Sequence, residues 1–289
     1  MKSKNFLSAD FLHISGRLSF KIFLPTLLFY NVYHTELQQA LNLPLMLYAA
    51  TSTVFVFIVA FLLVPFCSKN HTRTPVIIQG IYRSNFLLFG LPVMLNIFGD
   101  SGVGVTSMLI AVIVPVYNLL AVIALSYFGE GKTNWFATTK KVLGNPLIIG
   151  TVLGLIFLAL KIPVPSALDK ALRDIAGLAT PFALLLLGAE FTIKSVNSNL
   201  KALIISCFAK LLLAPAFIMG AGYLLGFRGI PLVALLAMSA SPVAVSSFIM
   251  AQQAKADHQL AGQIVVFSTF FSVFTIFGWV FLLKLLALI

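Results

Sequence analysis

Residues 76–98 read VIIQGIYRSNFLLFGLPVMLNIF, and this stretch decides the fold class. Its 23 residues are mostly apolar and are long enough to cross the hydrocarbon core of a bilayer, which takes about 20 residues of helix. Arg83 and Asn85 nevertheless lie near its centre, and Gly90 and Pro92 follow in its second half. Proline lacks a backbone donor and clashes with the preceding turn, while glycine tolerates the unusual backbone that results. The stretch predicts a broken membrane helix with a polar Asn85 near the break; a simple proline kink is the alternative.

The chain as a whole has the composition of a membrane protein. Hydrophobic residues make up 60% and charged residues 9% of its 289 positions, with a mean hydropathy of +1.04. A soluble domain is nearer half apolar and a quarter charged, so this chain has too few charges to cover a surface in water. The sequence predicts an all-α polytopic membrane protein of about nine helices. They lie at roughly 18–34, 45–67, 76–98, 103–127, 145–161, 172–192, 202–225, 230–252 and 260–287.

The net charge of +11 is spread over short loops, which excludes a nucleic-acid-binding protein with its single basic patch. One alternate set of loops holds eleven Lys and Arg residues and the other set holds five. The two sets are Lys2, Lys4, Arg17, Lys69, Arg73, Lys132, Lys140, Lys141, Lys194, Lys201 and Lys255, and Lys161, Lys170, Arg173, Arg228 and Lys284. Because cytoplasmic loops are the more positive, we expect a cytoplasmic N-terminus and an external C-terminus. Segment 132–143 is predicted to lie along the cytoplasmic interface as an amphipathic helix, with Trp135 and Phe136 at headgroup depth.

The two halves of the chain resemble each other weakly. Pro181 follows Pro25 by 156 residues, and Asp257 follows Asp100 by 157 residues. Each pair occupies a similar place relative to an apolar segment. These near-equal offsets indicate an internal duplication.

The duplication has a gap at its start. The span that begins at Asn145 has no counterpart in the first half, because an offset of 156 puts most of that counterpart before Met1. We therefore expect a first repeat of four helices at 1–128 without its opening helix, a cytoplasmic connector at 129–144, and a second repeat of five helices at 145–289. A complete unit of five helices inverts its second copy, as in many secondary transporters.

The span at 230–252 is the repeat counterpart of 76–98 and carries a second break. Its candidate site residues are Ser239, Ser241, Pro242 and Ser246. Three of them share one helical face and the fourth directly precedes the proline. Small hydroxyl side chains let a ligand or a backbone approach closely, and helix packing through small residues is the alternative. Two breaks that face each other would aim positive helix N-termini at one point, which favours an anion.

Three cations, Lys21, Arg83 and Lys210, fall within apolar spans. A charge at membrane depth is costly and indicates function, although Lys21 and Lys210 lie close enough to a predicted cytoplasmic end to snorkel. Arg83 precedes Asn85 and is a candidate for substrate attraction or gating. No acidic pair marks a cation site, so a coupling ion, H⁺ or Na⁺, is left open. Enzyme motifs such as GxSxG, HExxH and the P-loop are absent, and the sequence predicts no enzyme and no cofactor.

Four stretches resemble the auxin efflux carrier family of transporters. They are LPTLLF at 24–29, YRSNF at 82–86 with Gly90, NPLIIG at 145–150, and Ser241–Pro242 running on to Phe248 and Ala251–Gln252. Their order and spacing carry the resemblance over nearly the whole chain. The family is similar in fold to bile-acid sodium symporters. This implies ten helices in two inverted repeats of five, with two broken helices that cross at the substrate site. It also implies that Asn85, Pro92 and Pro242 lie at the crossing.

The resemblance and the polar residues together predict a secondary transporter of a small organic anion that works by alternating access. The resemblance implies a dicarboxylate such as malate or malonate in bacteria and auxin in plants. It also repeats the gap found above, because family chains open with a helix that ends at about the turn where Met1 stands. The alternatives are a non-translocating receptor or scaffold of the same fold and a truncated, inactive carrier. The expected location is a bacterial inner membrane, with the anion, the lipid bilayer and a second copy in a homodimer as candidate partners.

Overall fold

The computed structural model describes residues 8–35, 42–128 and 135–289, and within these ranges all regular secondary structure is helical. The helices are α1 (Ala9–Leu18 and Leu24–Tyr33, joined by the π-helical turn Ser19–Phe23), α2 (Leu43–Cys67), α3a (Thr74–Tyr82), α3b (the π-helical turn Phe86–Gly90 followed by Leu91–Phe98), α4 (Asp100–Phe128), α5 (Trp135–Leu143), α6 (Pro146–Ala159), α7 (Ser166–Glu190), α8 (Val196–Leu224, with the π-helical turn Ala209–Leu213), α9a (Ile230–Ala240), α9b (Ser246–Gln253) and α10 (His258–Leu285). Each of the nine predicted spans coincides with one of these helices or broken helices. The prediction of an all-α polytopic membrane protein is confirmed.

The helices have the length and the end groups that a bilayer requires. Among the described residues, six helices are long and apolar enough to cross a membrane, namely α2, the whole of α3, α4, α7, α8 and α10. Asn42, Asn145 and Asp257 cap α2, α6 and α10 by accepting a hydrogen bond from a backbone N–H two or three residues later, at 2.9–3.0 Å. These caps satisfy backbone donors that a helix end otherwise leaves free.

Prolines inside the spans produce π-helical turns. Pro25, Pro92 and Pro215 each stand at the second position after such a turn, in α1, α3b and α8. Proline cannot donate to the carbonyl four residues earlier, and one extra residue in the turn relieves the clash with that carbonyl. In α8 the carbonyl of Leu211 instead accepts a hydrogen bond from the indole N–H of Trp279 at 3.0 Å. The helix axis therefore continues through each of these prolines.

The helices fall into two packed groups. In the α1 group, α1 packs against α6 and α7; in the α3 group, α2, α3, α4, α8, α9 and α10 pack against one another. The α1 group is built on the GxxxG pattern of Gly150 and Gly154, which brings backbones close together. A Cβ on Gly150 would lie 2.5 Å from the carbonyl oxygen of Pro25, and one on Gly154 would lie 2.9 Å from that of Phe29.

The two ends of the bundle differ in charge. The lysine-rich end, where α2 ends and α10 begins, carries Lys69, Arg73, Lys201 and Lys255. Three further cations of the richer loop set, Lys2, Lys4 and Lys132, lie outside the described residues. Helix α5 lies within the segment predicted as an interfacial helix at 132–143. Residues 132–134 and the side chains of Trp135 and Phe136 are likewise outside the described part, so their predicted place at headgroup depth stays a prediction.

Candidate functional site

Both predicted breaks are present. Helix α3 is interrupted at residues 83–85, where Arg83 adopts an extended conformation with φ −76° and ψ 139°. Helix α9 is interrupted at residues 241–245, where Ser241 is extended with φ −59° and ψ 146°. The first break lies seven residues before Pro92, because the π-helical turn accommodates that proline without interrupting the helix.

The two breaks bond directly to each other. The backbone N–H of Asn85 donates to the carbonyl oxygen of Pro242 at 2.7 Å. The hydroxyl of Ser84 donates to the carbonyl oxygen of Ser241 at 3.2 Å. These bonds satisfy polar groups that the interruptions of the two helices would otherwise leave unpaired, as a position within the membrane requires. The broken helices therefore cross, as the fold prediction required.

A small central cavity, with a volume of about 70 Å³, adjoins the crossing. It lies between the breaks and the helices α1, α4, α6 and α7. Its polar lining residues are Asn31, Arg83, Ser84, Asn85, Tyr117, Asn118, Thr180 and Ser246. Both helix groups contribute to this lining, so a relative movement of the two groups changes the shape of the cavity.

Arg83 is the charged member of the described cavity lining and is 2% exposed. Its Nη1 donates to the Gln79 side-chain oxygen at 3.1 Å and contacts the Met250 sulfur at 2.6 Å. Its Nη2 donates to the Asn118 side-chain oxygen at 2.6 Å and to the Ser246 hydroxyl at 2.8 Å. All four partners are uncharged, so the guanidinium is held in place while its positive charge is not neutralised by them. A buried cation of this kind attracts an anion strongly, because the surrounding dielectric is low.

Two helix starts and an amide side chain also adjoin the central cavity. The helical segments α3b and α9b both begin beside it, and Phe86, Leu87 and Val245 are among its lining residues. The first N–H groups of a helix have no partner within the helix, and the dipole makes this end positive. In the described part of the chain, the side-chain amide of Asn85 forms no hydrogen bond and is free to bind a ligand. Two helix starts, an amide and a guanidinium thus surround one small space, an arrangement suited to an anion.

Not all of the predicted site residues line the central cavity. Arg83, Asn85 and Ser246 do. The carbonyl of Pro242 is bonded to Asn85, which places this proline at the crossing itself. The others do not line the cavity; they are Gly90, Pro92, Ser239 and Ser241.

The reasons for these four positions are local. The hydroxyls of Ser239 and Ser241 donate to carbonyls one turn earlier in α9a. Gly90 is buried where α3b meets α9a, and an added Cβ would lie 3.1 Å from the Ala237 carbonyl oxygen. Pro92 is exposed and stands at the second position after the π-helical turn. Ligand binding by any of these residues therefore stays a prediction without support from the lining.

The sequence reasoning missed five polar residues of the central cavity, namely Asn31, Ser84, Tyr117, Asn118 and Thr180. Asn118 carried a usable signal, because it is the one amide side chain in the apolar span at 103–127. Asn31 and Thr180 lie on α1 and α7 and reach the crossing only through the packing of the two helix groups.

The other cations within the spans differ from each other. Lys210 is 1% exposed, and its ammonium donates to the carbonyl oxygen of Ser239 at 2.8 Å, so it is buried rather than snorkelling. Lys21 is exposed, which agrees with the snorkelling interpretation.

Two larger cavities flank the central one. The wide vestibule, of about 660 Å³, opens at the end opposite the lysine-rich end and includes His34 and Asp100. It shares the lining residues Asn31 and Leu87 with the central cavity. The small vestibule, of about 240 Å³ and lined in part by Lys141, lies on the lysine-rich side and shares no described lining residue with the central cavity.

Comparison with known proteins agrees with this architecture. The sequence profile of the membrane transport protein family matches residues 1–134 and 132–280, which together span nearly the whole chain. No curated protein sequence matches this chain. The chain therefore belongs to the membrane transport protein family, which includes the auxin efflux carriers and malate permeases, and it is an integral membrane transporter.

Proposed function

We propose that this protein carries a small organic anion across the membrane by alternating access, with a carboxylate group of the anion held at the crossing of α3 and α9. One observation carries the proposal. Arg83 is fully buried among uncharged partners, beside a cavity that two helix starts border. A carboxylate that leaves water must replace its hydrogen bonds or lose several kcal/mol, and this site offers charged and neutral donors for that exchange.

The size of the central cavity supports a carrier with a moving site. Pockets that enclose a small ligand usually measure about 300–1,000 Å³. At about 70 Å³ the central cavity is much smaller, so the two helix groups must separate for an anion to enter.

The polar lining supports a small carboxylate as the substrate. A dicarboxylate such as malate or malonate would place one carboxylate at Arg83 and Asn85. The amide of Asn31 and the hydroxyl of Thr180, both of the α1 group, would then lie near the second carboxylate or the hydroxyl substituent. An auxin-like monocarboxylate would place its apolar part against the leucines of α1. The location that we propose is a bacterial inner membrane, and the charge difference between the two ends supports a cytoplasmic lysine-rich end.

Substrate counterflow in proteoliposomes tests the proposal. Vesicles loaded with unlabelled malate or malonate should transiently accumulate the labelled compound from outside, because a carrier exchanges one anion for another. Protein-free vesicles and vesicles with the Asn85→Asp variant serve as controls and should accumulate none. If the wild-type protein binds the labelled anion without counterflow, it is a receptor or scaffold and the proposal is wrong.

A further inference from the structure

An open groove runs along the outside of the bundle between α2 and α8, with α3a as its floor. Its volume is about 600 Å³. Its apolar walls include large side chains that are about half exposed, namely Phe55, Leu63, Leu213 and Phe217. This groove belongs to the α3 group, and none of its described lining residues lines the central cavity.

The groove is closed at the end away from the lysines. There the rings of Phe55 and Phe217 stack at 4.9 Å between centroids, and the hydroxyl of Tyr48 donates to the Ile218 carbonyl at 2.6 Å. From Phe55 to Ser68 the wall rises by about 20 Å at about 1.5 Å per helical residue. One leaflet contributes about half of a 30 Å hydrocarbon core, so the groove has the length of the acyl chains of one lipid.

The open end of the groove is cationic. Lys201 and Arg73 line it, together with Ser68 and Ser198, and none of the described lining residues is acidic. Lys201 is exposed. The Nε of Arg73 donates to Asp257 at 3.0 Å, which leaves the two terminal nitrogens of the guanidinium for another acceptor. The groove thus combines an apolar trough with a positive mouth at headgroup level.

We propose that this groove is a binding site for a phospholipid with an anionic headgroup. The acyl chains lie along α2 and α8, and the phosphate lies between Lys201 and Arg73. A second copy of the chain fits less well. A symmetric dimer through this face would bring the same two cations of each protomer towards each other. An anionic headgroup supplies the opposite charge at the same level.

Native mass spectrometry of the purified protein tests this site. The protein is offered equal amounts of phosphatidylglycerol and phosphatidylcholine with identical acyl chains. We expect phosphatidylglycerol to be retained preferentially, and Lys201→Gln to reduce that preference about fivefold. Lys140→Gln, an exposed lysine on α5 at the same end but outside the groove, should leave it unchanged.

A second variant examines the trough itself. Ala202 lines the groove near its mouth, and Ala202→Phe should reduce the retention of both lipids because the new ring occupies space that the acyl chains need. Equal retention of the two lipids by the wild-type protein would overturn the proposal. So would an unchanged preference in Lys201→Gln, or a lipid-free dimer whose formation Ala202→Phe abolishes.

Discussion

Arg83 and Asn85 both line the central cavity but play different roles there. The guanidinium of Arg83 has four partners that fix its position, whereas the amide of Asn85 has none among the described residues. A donor that is already paired gives a ligand mainly its charge, and an unpaired donor gives it a hydrogen bond. The two residues should therefore respond differently to substitution.

Asn85→Ala should weaken substrate binding by about ten- to a hundredfold, because one hydrogen bond to a charged ligand contributes about 1.5–3 kcal/mol. Asn85→Asp should be worse, since it sets a like charge against the carboxylate. Equilibrium binding of labelled malate to the purified protein measures both effects. Asn96→Ala is a matched control on the same helix, because the exposed Asn96 side chain bonds only to the carbonyl of Pro92, at 2.7 Å. If the two Asn85 variants bind as the parent does, the anion does not lie at the crossing.

Arg83→Lys and Arg83→Gln separate charge from geometry. Lysine keeps the charge but cannot form the forked set of bonds to Asn118 and Ser246, so Arg83→Lys should retain weakened binding. Arg83→Gln removes the charge and should abolish detectable binding. In the same binding assay, the affinity for labelled malate should fall in the order parent, Arg83→Lys, Arg83→Gln. Equal binding by the Lys and Gln variants would mean that Arg83 only holds the crossing together.

The residue scale also shows what the sequence could reveal about the site. Arg83 and Asn85 were identifiable because polar groups in a long apolar stretch are costly unless they have a function. Pro92 predicted the position of the break wrongly. A proline predicts a break at its own turn, whereas here a π-helical turn takes up the distortion. Asn31 and Thr180 could not be assigned from their local sequences, since only tertiary packing brings them to the cavity.

At the scale of elements, the apolar length of each segment predicted where the helices lie. It did not predict the irregularities within the helices. All nine predicted spans have counterparts, because a membrane helix must satisfy its own backbone and a run of apolar residues is easily recognised. Whether a proline breaks the helix, kinks it or inserts a π-helical turn depends on which neighbour donates a hydrogen bond to the freed carbonyl. In α8 that neighbour is Trp279, 68 residues from Leu211.

The contact between α1 and α6 depends on glycine at position 150. Gly150→Ala would place its Cβ 2.5 Å from the carbonyl oxygen of Pro25, so α1 must shift outward. We expect a loss of about 1–3 kcal/mol in stability, as for other overpacked sites, and a lower midpoint in thermal unfolding in detergent. Gly177→Ala on α7 is the control, because nothing lies within 4 Å of its added Cβ, and its midpoint should stay within error or rise slightly. Equal midpoints for both variants would show that the two helices can separate without cost.

At the scale of the whole molecule, the two sides of the central cavity are not equivalent. The wide vestibule leads to the central cavity through the shared residues Asn31 and Leu87. On the lysine-rich side, the contact between Arg83 and Met250 separates the central cavity from the small vestibule. The structure therefore corresponds to a state that is more open away from the lysine-rich end. Transport by alternating access requires the opposite state as well.

The two helix groups are tied together at the lysine-rich end by Glu190, the last residue of α7. One oxygen of its carboxylate accepts a hydrogen bond from the Gln252 side chain of α9b at 2.8 Å, and the other lies 3.3 Å from the His258 ring of α10. These contacts cross between the α1 group and the α3 group, so they must break when this end opens. Glu190 is largely buried, whereas the His258 side chain is 38% exposed, so the ion pair itself is weak and the hydrogen bond matters more.

Glu190→Ala should therefore shift the molecule towards the state that is open at the lysine-rich end, by about fivefold in the equilibrium if the lost contacts are together worth about 1 kcal/mol. The rate at which a membrane-impermeant maleimide labels a Ser126→Cys reporter measures the shift, because Ser126 lines the small vestibule. Cys67 is replaced by serine in this background because it is exposed, whereas Cys207 is buried and can stay.

The control for the loss of a negative charge is Asp174→Asn, which changes an exposed acid on α7 towards its other end and should leave the labelling rate unchanged. Because the contacts of Glu190 stabilise one of two states that both bind the anion, the variant should alter labelling and transport rate more than the affinity for substrate. If labelling is unchanged while binding falls, Glu190 acts on the central cavity and not on the closure of this end.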